Sequence, residues 1–205
     1  MADHHSPVYS FSEDSFSYIV PTWSELADIV FGVAQKIEAD HKKFDHIVSL
    51  AKGGWPTARI LADFLQIRDG SSISTKLYTG IDSRLEEPEV YQDLEQVEGE
   101  HLLLFDDVSD TGKTLKFVYD HLMKRGAASV TTATVYHKPR SIFVPDYYGE
   151  VTESWIVFPY EIIEMIRLLD EKWSGAGVSS NEINERMKKL GFKNSWVEYY
   201  RGKCP

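Results

Sequence analysis

The chain has 205 residues, and its 32 acidic against 22 basic residues give a formal net charge of −10. This balance disfavours binding to duplex nucleic acid, which usually requires a basic face. No apolar run is long enough to span a membrane, and residues 1–5 lack the basic and apolar parts of a signal peptide. A single cysteine, Cys204, cannot form an internal disulfide. We therefore expect a soluble, cytoplasmic protein built on one domain with a small appendage.

Helical signals begin after an irregular arm. Residues 1–20 show no clear period and are predicted to form that arm or an edge strand. Thr22 and Glu25 have the spacing of a capping box, and apolar residues follow at helical intervals. A helix is therefore predicted over 23–40.

A glycine turn and a long acidic stretch mark the next part of the chain. The strand predicted over 44–50 ends in the turn Ala51-Lys52-Gly53-Gly54, after which the helical period resumes over 58–65. A further strand is predicted over 72–78. Residues 79–100 are polar and acidic, and a loop of this length inside a compact domain is usually functional or disordered. We interpret it as a lid, with a disordered, solvated insertion as the alternative.

The stretch from Leu102 to Leu115 is the most informative in the chain. Four apolar residues, as expected for a central parallel strand, run directly into the carboxylates of Asp106 and Asp107. A polar glycine turn over 109–114 then opens a helical pattern. The sequence therefore predicts a buried strand that ends, and a helix that begins, at one site.

The remaining chain continues the alternation of strand and helix. Its predicted elements are a strand over 130–136, a short strand over 155–158, a helix over 161–172 and a helix over 179–190. Such alternation indicates an α/β fold with a mainly parallel sheet, in which ligands bind beyond the carboxyl ends of the strands. We expect a main domain over 1–172 and a C-terminal helical extension over 173–205.

Two features of the central stretch suit a sugar phosphate. The turn from Ser109 to Thr114 opens a helix, so its free N–H groups and the helix dipole favour an anion. The alternative is that Ser109 or Asp110 merely caps the helix. Adjacent carboxylates at the end of a buried strand are costly unless they serve a ligand. Asp106 and Asp107 can accept hydrogen bonds from vicinal sugar hydroxyls and can hold Mg²⁺; the alternative is a solvated turn.

The stretch from Leu102 to Leu115 closely resembles the signature of type I phosphoribosyltransferases, which bind 5-phosphoribosyl 1-pyrophosphate (PRPP). The resemblance extends over roughly residues 20–165. It implies an α/β fold with a parallel-sheet, Rossmann-like core, a small hood and a C-terminal helical extension. The PRPP-binding residues that it implies are Asp106, Asp107, Val108, Ser109, Asp110, Thr111, Gly112, Lys113 and Thr114.

Other turns are similar to parts of the same family. The turn Ala51-Lys52-Gly53-Gly54 resembles the family's pyrophosphate-binding loop, and this likeness suggests a cis peptide between Ala51 and Lys52. The acidic stretch 79–100 lies where the family carries a flexible loop that closes over the reaction centre and excludes water. Lys76 and Tyr78 stand at the root of that loop.

The acceptor is indicated by a Lys-Pro pair at Lys138 and by Trp155, which resemble the purine branch of the family, particularly the xanthine-guanine and archaeal enzymes. There the lysine donates to the exocyclic oxygen of the purine, an aromatic ring stacks on the base, and the next residue reads the base edge. These roles carry over to Lys138, Trp155 and Ile156. An ammonium group only donates, so Lys138 favours 6-oxopurines over adenine. Asp110 would take the proton from N7 as N9 attacks the ribose, and Glu161 lies near an acidic position that serves the metal and pyrophosphate.

The resemblance thus implies a purine phosphoribosyltransferase of nucleotide salvage. It would use Mg²⁺ and convert PRPP and a purine base into a purine mononucleotide and pyrophosphate. Family relatives are usually dimers or tetramers, so a homodimer or homotetramer is expected. The extension over 173–205 has no recognisable motif and could retune specificity, which keeps an adenine enzyme open. A non-catalytic, PRPP-sensing regulatory protein is the alternative of another class, although Lys138 and Trp155 favour an enzyme.

Overall fold

The computed structural model describes residues 6–77 and 88–201. The helices and strands in chain order are β1 (Val8–Tyr9), β2 (Tyr18–Ile19), α1 (Trp23–Ala39), β3 (His46–Ala51), α2 (Gly54–Phe64), β4 (Asp69–Leu77), β5 (Pro88–Gln92), β6 (His101–Ser109), α3 (Lys113–Lys124), β7 (Ser129–His137), β8 (Tyr147–Val151), β9 (Trp155–Ile156), α4 (Ile162–Gly175), α5 (Ser180–Lys189) and α6 (Asn194–Tyr200). None of these helices is long and apolar enough to cross a bilayer.

The chain divides into two compact units. Residues 26–152 form one of them, here called the sheet unit, and residues 1–25 with 153–205 form the other, the helical unit. The boundary predicted after residue 172 lies within α4, which spans Ile162–Gly175. The next residue of that helix, Trp173, belongs to the core of the helical unit. Each unit has its own hydrophobic core.

A six-stranded sheet organises the sheet unit, in the order β5-β4-β3-β6-β7-β8. All neighbouring strands are parallel except β5, which runs antiparallel to β4 at the edge. The centre of β6 is fully buried from Leu102 to Phe105, as expected for a strand covered on both faces. Helix α2 packs against β3 and β6, and α3 packs against β6 and β7. The predicted α/β class with a mainly parallel sheet is confirmed.

Strand β6 is longer than predicted. We expected it to end before the two carboxylates, but it continues to Ser109 because Asp106, Val108 and Ser109 pair with β7. Its pairing with β3 already ends at Phe105. The acidic pair therefore lies within the strand, at the point where β6 keeps a neighbour on one side only.

The stretch predicted as a long loop is partly regular. Residues 88–92 form β5, and Leu94 and Val97 are buried in the core of the sheet unit. The interpretation of 79–100 as one lid is therefore wrong for its second half, where apolar side chains are spaced among the acidic ones. Residues 79–87, together with Tyr78, lie outside the described residues.

Two other elements differ from prediction. Strand β8 has no predicted counterpart; it is aligned by Asp146, whose carboxylate accepts hydrogen bonds from the backbone N–H and the hydroxyl of Thr132 at 2.7 and 2.8 Å. Helix α2 begins at Gly54, a turn earlier than expected, because Pro56 is compatible with the first turn of a helix. The short strand predicted over 155–158 is reduced to two paired residues, Trp155 and Ile156.

The helical unit combines a small sheet, in the order β1-β2-β9, with helices α4, α5 and α6. The capping box predicted at Thr22 and Glu25 is present. The Thr22 backbone N–H donates to the Glu25 carboxylate at 2.7 Å, and the Glu25 backbone N–H donates to the Thr22 hydroxyl at 3.2 Å. The indole of Trp173 is fully buried at the centre of its core. The segment after residue 172 is therefore an integral part of this unit.

Buried charge ties the N-terminal arm to these helices. The Asp14 carboxylate is inaccessible to solvent and forms an ion pair of 2.7 Å with Lys172. It also accepts hydrogen bonds from the Tyr18 hydroxyl at 2.6 Å and the Trp173 indole at 3.1 Å. Burial opposes ionisation of Asp14, but these three donors outweigh it and lower its pKa. The arm thus contributes a carboxylate around which α4 is fixed.

Arg186 makes a second connection between the arm and the helices. Its guanidinium group donates to Glu13 at 2.6 Å and to Glu182 at 2.9 Å. It also lies 5.2 Å from the ring centre of Phe11 and 5.5 Å from that of Trp173. Only arginine combines a planar cation that stacks on aromatic rings with several donors, here directed at two different carboxylates.

The pair of Glu13 and Arg186 predicts a pH-dependent contribution to stability. The hydrogen bond from Arg186 is the largest cause that lowers the pKa of Glu13 from 4.5 to about 2. Because the pKa is lower in the folded protein, the stabilisation is present above pH 4.5 and is lost as the pH falls toward 2. In urea unfolding, Glu13→Gln should therefore be less stable than the wild type at pH 7, and the difference should shrink between pH 4.5 and 2.

The matched control is Asp63→Asn, which removes an exposed ion pair with Arg59 in the sheet unit and should have little effect on unfolding at pH 7. A difference between Glu13→Gln and the wild type that stays constant down to pH 2 would contradict the assignment.

Candidate active site

Three turns meet at the carboxyl edge of the sheet. Strand β3 runs into the glycine turn that opens α2, β6 runs into the loop that opens α3, and β7 runs into the segment that begins at Lys138. Strand β6 lies between β3 and β7 and is parallel to both. The three turns that follow these strands therefore lie side by side. The structure thereby brings together the predicted pyrophosphate, PRPP and lysine positions of the sheet unit.

The glycine turn lies directly against the acidic pair. A Cβ atom at Gly53 would be 2.2 Å from Oδ2 of Asp107, and one at Gly54 would be 3.0 Å from the backbone oxygen of Phe105. Gly53 has helical dihedral angles, φ −57° and ψ −43°, so space rather than backbone freedom requires glycine there. The peptide bond between Ala51 and Lys52 is cis, as predicted.

The two carboxylates of the acidic pair have different surroundings. Oδ1 of Asp106 accepts a hydrogen bond of 2.9 Å from the backbone N–H of Asp107. The Asp107 side chain is buried, whereas that of Asp106 is half-buried.

The loop between β6 and α3 is opened by glycine. Gly112 has φ +75° and is the residue before the first helical turn. A Cβ atom there would also be 2.3 Å from the Ser141 hydroxyl and 2.7 Å from the backbone nitrogen of Phe143. Both the backbone conformation and the space therefore require glycine.

The alternative interpretation of this loop as a simple helix cap is wrong. The residue before the first helical turn is Gly112, and neither Ser109 nor Asp110 caps α3; the Lys113 N–H donates to the Thr111 hydroxyl in a long contact of 3.5 Å. The Ser109 hydroxyl instead contacts the Ser141 hydroxyl at 2.9 Å and donates to the Phe143 carbonyl at 3.1 Å. The carboxylate of Asp110 contacts Arg140. The start of this 12-residue helix, with its dipole and N-terminal N–H groups, is therefore suited to an anion.

The segment 138–143 is fastened to the same loop. The backbone N–H of Lys138 donates to the Ser109 carbonyl at 3.0 Å, and that of Ile142 donates to the Thr111 carbonyl at 2.9 Å. Sequence reasoning missed Arg140 and Ser141, because neither stands in a recognisable pattern. Only the fold places them beside the loop.

Lys138 is buried, with 4% of its surface exposed. The preceding residue, His137, is also buried and lies 5.1 Å from the ring centre of Tyr148. Burial lowers the pKa of His137, which favours the neutral imidazole.

The remaining predicted residues lie on β4 or in the helical unit. Lys76 is on β4, where its ammonium group lies 4.6 Å from the ring centre of Tyr91. Trp155, Ile156 and Glu161 belong to the helical unit, and Glu161 precedes the first turn of α4.

Trp155 is held by two neighbours in the helical unit. Its ring stacks on that of Phe16, with centres 5.7 Å apart and planes at 29°, and its indole N–H points to the sulfur of Met165 at 3.3 Å. Because 40% of its surface remains exposed, the indole keeps an area that a flat ligand could contact. Ile156 is buried beside it in β9.

The chain is similar to known proteins in sequence and in fold. A family model described as "Phosphoribosyl transferase domain" matches residues 22–162. The xanthine-guanine phosphoribosyltransferase of Gluconobacter oxydans is 30% identical over 147 residues, which cover 70% of this chain and 84% of that protein. The enzyme of the same name from Idiomarina loihiensis is 28% identical over 144 residues, covering 69% and 85%.

A solved structure is also similar over most of the chain. The purine phosphoribosyltransferase from Pyrococcus horikoshii superimposes with a TM-score of 0.64 at 36% identity, covering 70% of this chain and 93% of that one. The matched family region contains all three turns at the sheet edge as well as Trp155. This chain therefore belongs to the phosphoribosyltransferase family.

Proposed function

We propose that this protein is a purine phosphoribosyltransferase of nucleotide salvage. It transfers the phosphoribosyl group of PRPP to N9 of a purine base, and the products are a purine mononucleotide and pyrophosphate. The observation that carries the proposal is the hydrogen bond of 3.0 Å from the Lys138 N–H to the Ser109 carbonyl. It fastens the residue suited to a 6-oxopurine beside the loop suited to the ribose phosphate. The names of the relatives from Gluconobacter oxydans and Pyrococcus horikoshii support the same substrate class.

The donor would be held by groups of three kinds. The N–H groups from Asp110 to Thr114 and the dipole of α3 would bind the 5-phosphate. The carboxylates of Asp106 and Asp107 would accept hydrogen bonds from the ribose hydroxyls. The glycine turn with Lys52 would face the pyrophosphate, where the absence of side chains at Gly53 and Gly54 lets the backbone approach.

The residues present fit Mg²⁺ bound together with the substrate. The described residues contain no cluster of three or more His, Cys, Asp or Glu that could hold a metal ion alone. Mg²⁺ commonly takes one or two carboxylates and completes its shell with water and substrate phosphates, and Asp106 and Asp107 offer such a pair. When bound, the ion supplies charge neutralisation for the departing pyrophosphate. Glu161 is proposed only as an additional carboxylate for the metal.

The base would be recognised by charge and by stacking. The ammonium group of Lys138 donates to the exocyclic O6 of hypoxanthine, guanine or xanthine, whereas the amino group of adenine offers no acceptor there. Stacking of the base on Trp155, which would add affinity without selecting a base, and recognition of the base edge by the Ile156 backbone are implied by the family resemblance. They stay predictions, because both residues belong to the helical unit.

Proton transfer would be the task of Asp110. As N9 forms its bond to C1 of the ribose, the bond from C1 to the pyrophosphate oxygen breaks, and the pyrophosphate leaves with that electron pair. The purine loses the proton at N7 to the Asp110 carboxylate. The expected homodimer or homotetramer stays a prediction.

The first test concerns the space between the glycine turn and the acidic pair. Gly53→Ala should weaken PRPP binding by about ten-fold or more, because relieving the 2.2 Å approach must displace the turn or Asp107 and 1.4 kcal/mol already corresponds to a factor of ten. The measurement is titration calorimetry with PRPP and Mg²⁺. Gly32→Ala is the control: nothing lies within 4 Å of its added Cβ, so helix α1 should gain about 0.5–1 kcal/mol and PRPP binding should be unchanged. Unaltered PRPP affinity in Gly53→Ala would argue against this loop as the pyrophosphate site.

The second test separates chemistry from donor binding. Asp110→Asn should reduce kcat by about 10²–10⁴-fold, the usual contribution of general base catalysis, while the dissociation constant for PRPP stays nearly unchanged. Steady-state rates and calorimetry on the same preparation measure both quantities. Weakened PRPP binding with an unchanged kcat would instead assign Asp110 to the donor site.

The third test asks which base is used. Initial rates with hypoxanthine, guanine, xanthine and adenine, at the same PRPP and Mg²⁺ concentrations, should be lowest for adenine. Lys138→Gln should lower kcat/KM for the best 6-oxopurine by about 10- to 100-fold, since a hydrogen bond to a charged group contributes about 1.5–3 kcal/mol. Adenine as the best substrate would overturn the role of Lys138 in specificity. PRPP binding without turnover of any base would indicate a sensor.

A further inference from the structure

The carboxylate of Asp110 is held on one side by a neighbouring arginine. Nε of Arg140 donates to Oδ1 of Asp110 at 2.7 Å, and Nη2 of the same guanidinium group donates to the same oxygen. Both donors therefore converge on Oδ1, and Oδ2 lies outside the contact with Arg140. The side chains are 61% and 40% exposed, so the pair by itself contributes little to stability. The pair instead fixes the orientation of the Asp110 carboxylate.

The backbone that carries Arg140 is fixed relative to Asp110. Two residues before it, the Lys138 N–H donates to the Ser109 carbonyl, and two residues after it, the Ile142 N–H donates to the Thr111 carbonyl. The hydroxyl of Ser141 contacts that of Ser109 at 2.9 Å and fills the space beside Gly112. Arg140 therefore reaches Asp110 from a segment that cannot shift without disturbing the loop itself.

We infer that Arg140 is a positioning residue for the transfer reaction: it anchors Oδ1 of Asp110 and leaves Oδ2 directed at N7 of the purine. This inference rests on the proposed function. An unanchored aspartate rotates about two side-chain bonds, and a displacement of about 1 Å from the reactive geometry can cost about 10²-fold in rate. A planar guanidinium with two converging donors suppresses that rotation, whereas a lysine provides one flexible ammonium group.

The test is a double-mutant cycle on the full-length protein. Arg140→Gln should lower kcat by about 10- to 100-fold and leave the KM for PRPP unchanged. Arg140→Lys, which keeps the charge but loses the two-donor geometry, should behave as Arg140→Gln does. In the background of Asp110→Asn, Arg140→Gln should cause no further loss, because a positioning residue acts only through the group that it positions.

Lys116→Gln is the matched control, because it removes an exposed ion pair with Asp120 on α3; its kcat should equal that of the wild type. The thermal unfolding midpoint of each Arg140 variant, measured beside the rates, should also equal that of the wild type.

Several results would overturn the inference. An unchanged kcat in Arg140→Gln would show that Asp110 needs no anchor. Independent losses in the double variant would show that Arg140 acts elsewhere, and a raised KM for PRPP with an unchanged kcat would place it in the donor site. Full activity in Arg140→Lys would reduce its role to charge. Absence of nucleotide product from the wild type with all four purines would instead overturn the proposed function, and the inference with it.

Discussion

The active edge of this protein depends on the close packing of Gly112 against Ser141 and Phe143. No side chain larger than hydrogen fits at Gly112, and its φ of +75° is one that other residues rarely adopt. This contact joins the loop that opens α3 to the segment that follows β7. Without it, the loop suited to phosphate and the lysine suited to a purine would be carried by independent turns. With it, the loop that opens α3 and the segment that begins at Lys138 are held together by close packing and a few hydrogen bonds.

The second constraint is the staggered end of the sheet. Pairing between β3 and β6 stops at Phe105, whereas pairing between β6 and β7 continues to Ser109. The edge released by β3 is where Gly53 approaches Asp107. The buried carboxylate of Asp107 therefore lies beside the backbone of Gly53. In the proposed site, the backbone would face the diphosphate and the carboxylate would face the cation. Their proximity results from the different ends of the two strand pairings.

Much of this arrangement could be predicted from sequence, because it is encoded locally. Local patterns predict the buried strand before Asp106, the helix that begins after the glycine turn and the helix that begins after Thr22. The errors arose where structure depends on distant partners. Strand β6 is extended by β7, and the acidic stretch after residue 87 is partly regular because β4 offers it an edge and the core accepts Leu94. Arg140 could not be recognised, because an arginine in a loop has no pattern until the fold shows what it contacts. The packing of α4 and α5 likewise could not be predicted, because it depends on ion pairs of Lys172 and Arg186 with the distant residues Asp14 and Glu13 of the N-terminal arm.

The central claim is that one corner of the sheet holds the phosphate, the ribose and the polar edge of a purine at once. A crystal structure of the protein with guanosine 5′-monophosphate tests it most directly. The account predicts the phosphate on the N–H groups between Asp110 and Thr114, the ribose hydroxyls on Asp106 and Asp107, and O6 within hydrogen-bonding distance of the Lys138 ammonium group. A nucleotide bound with its phosphate away from the N-terminus of α3, or with its base edge away from Lys138, would contradict the account.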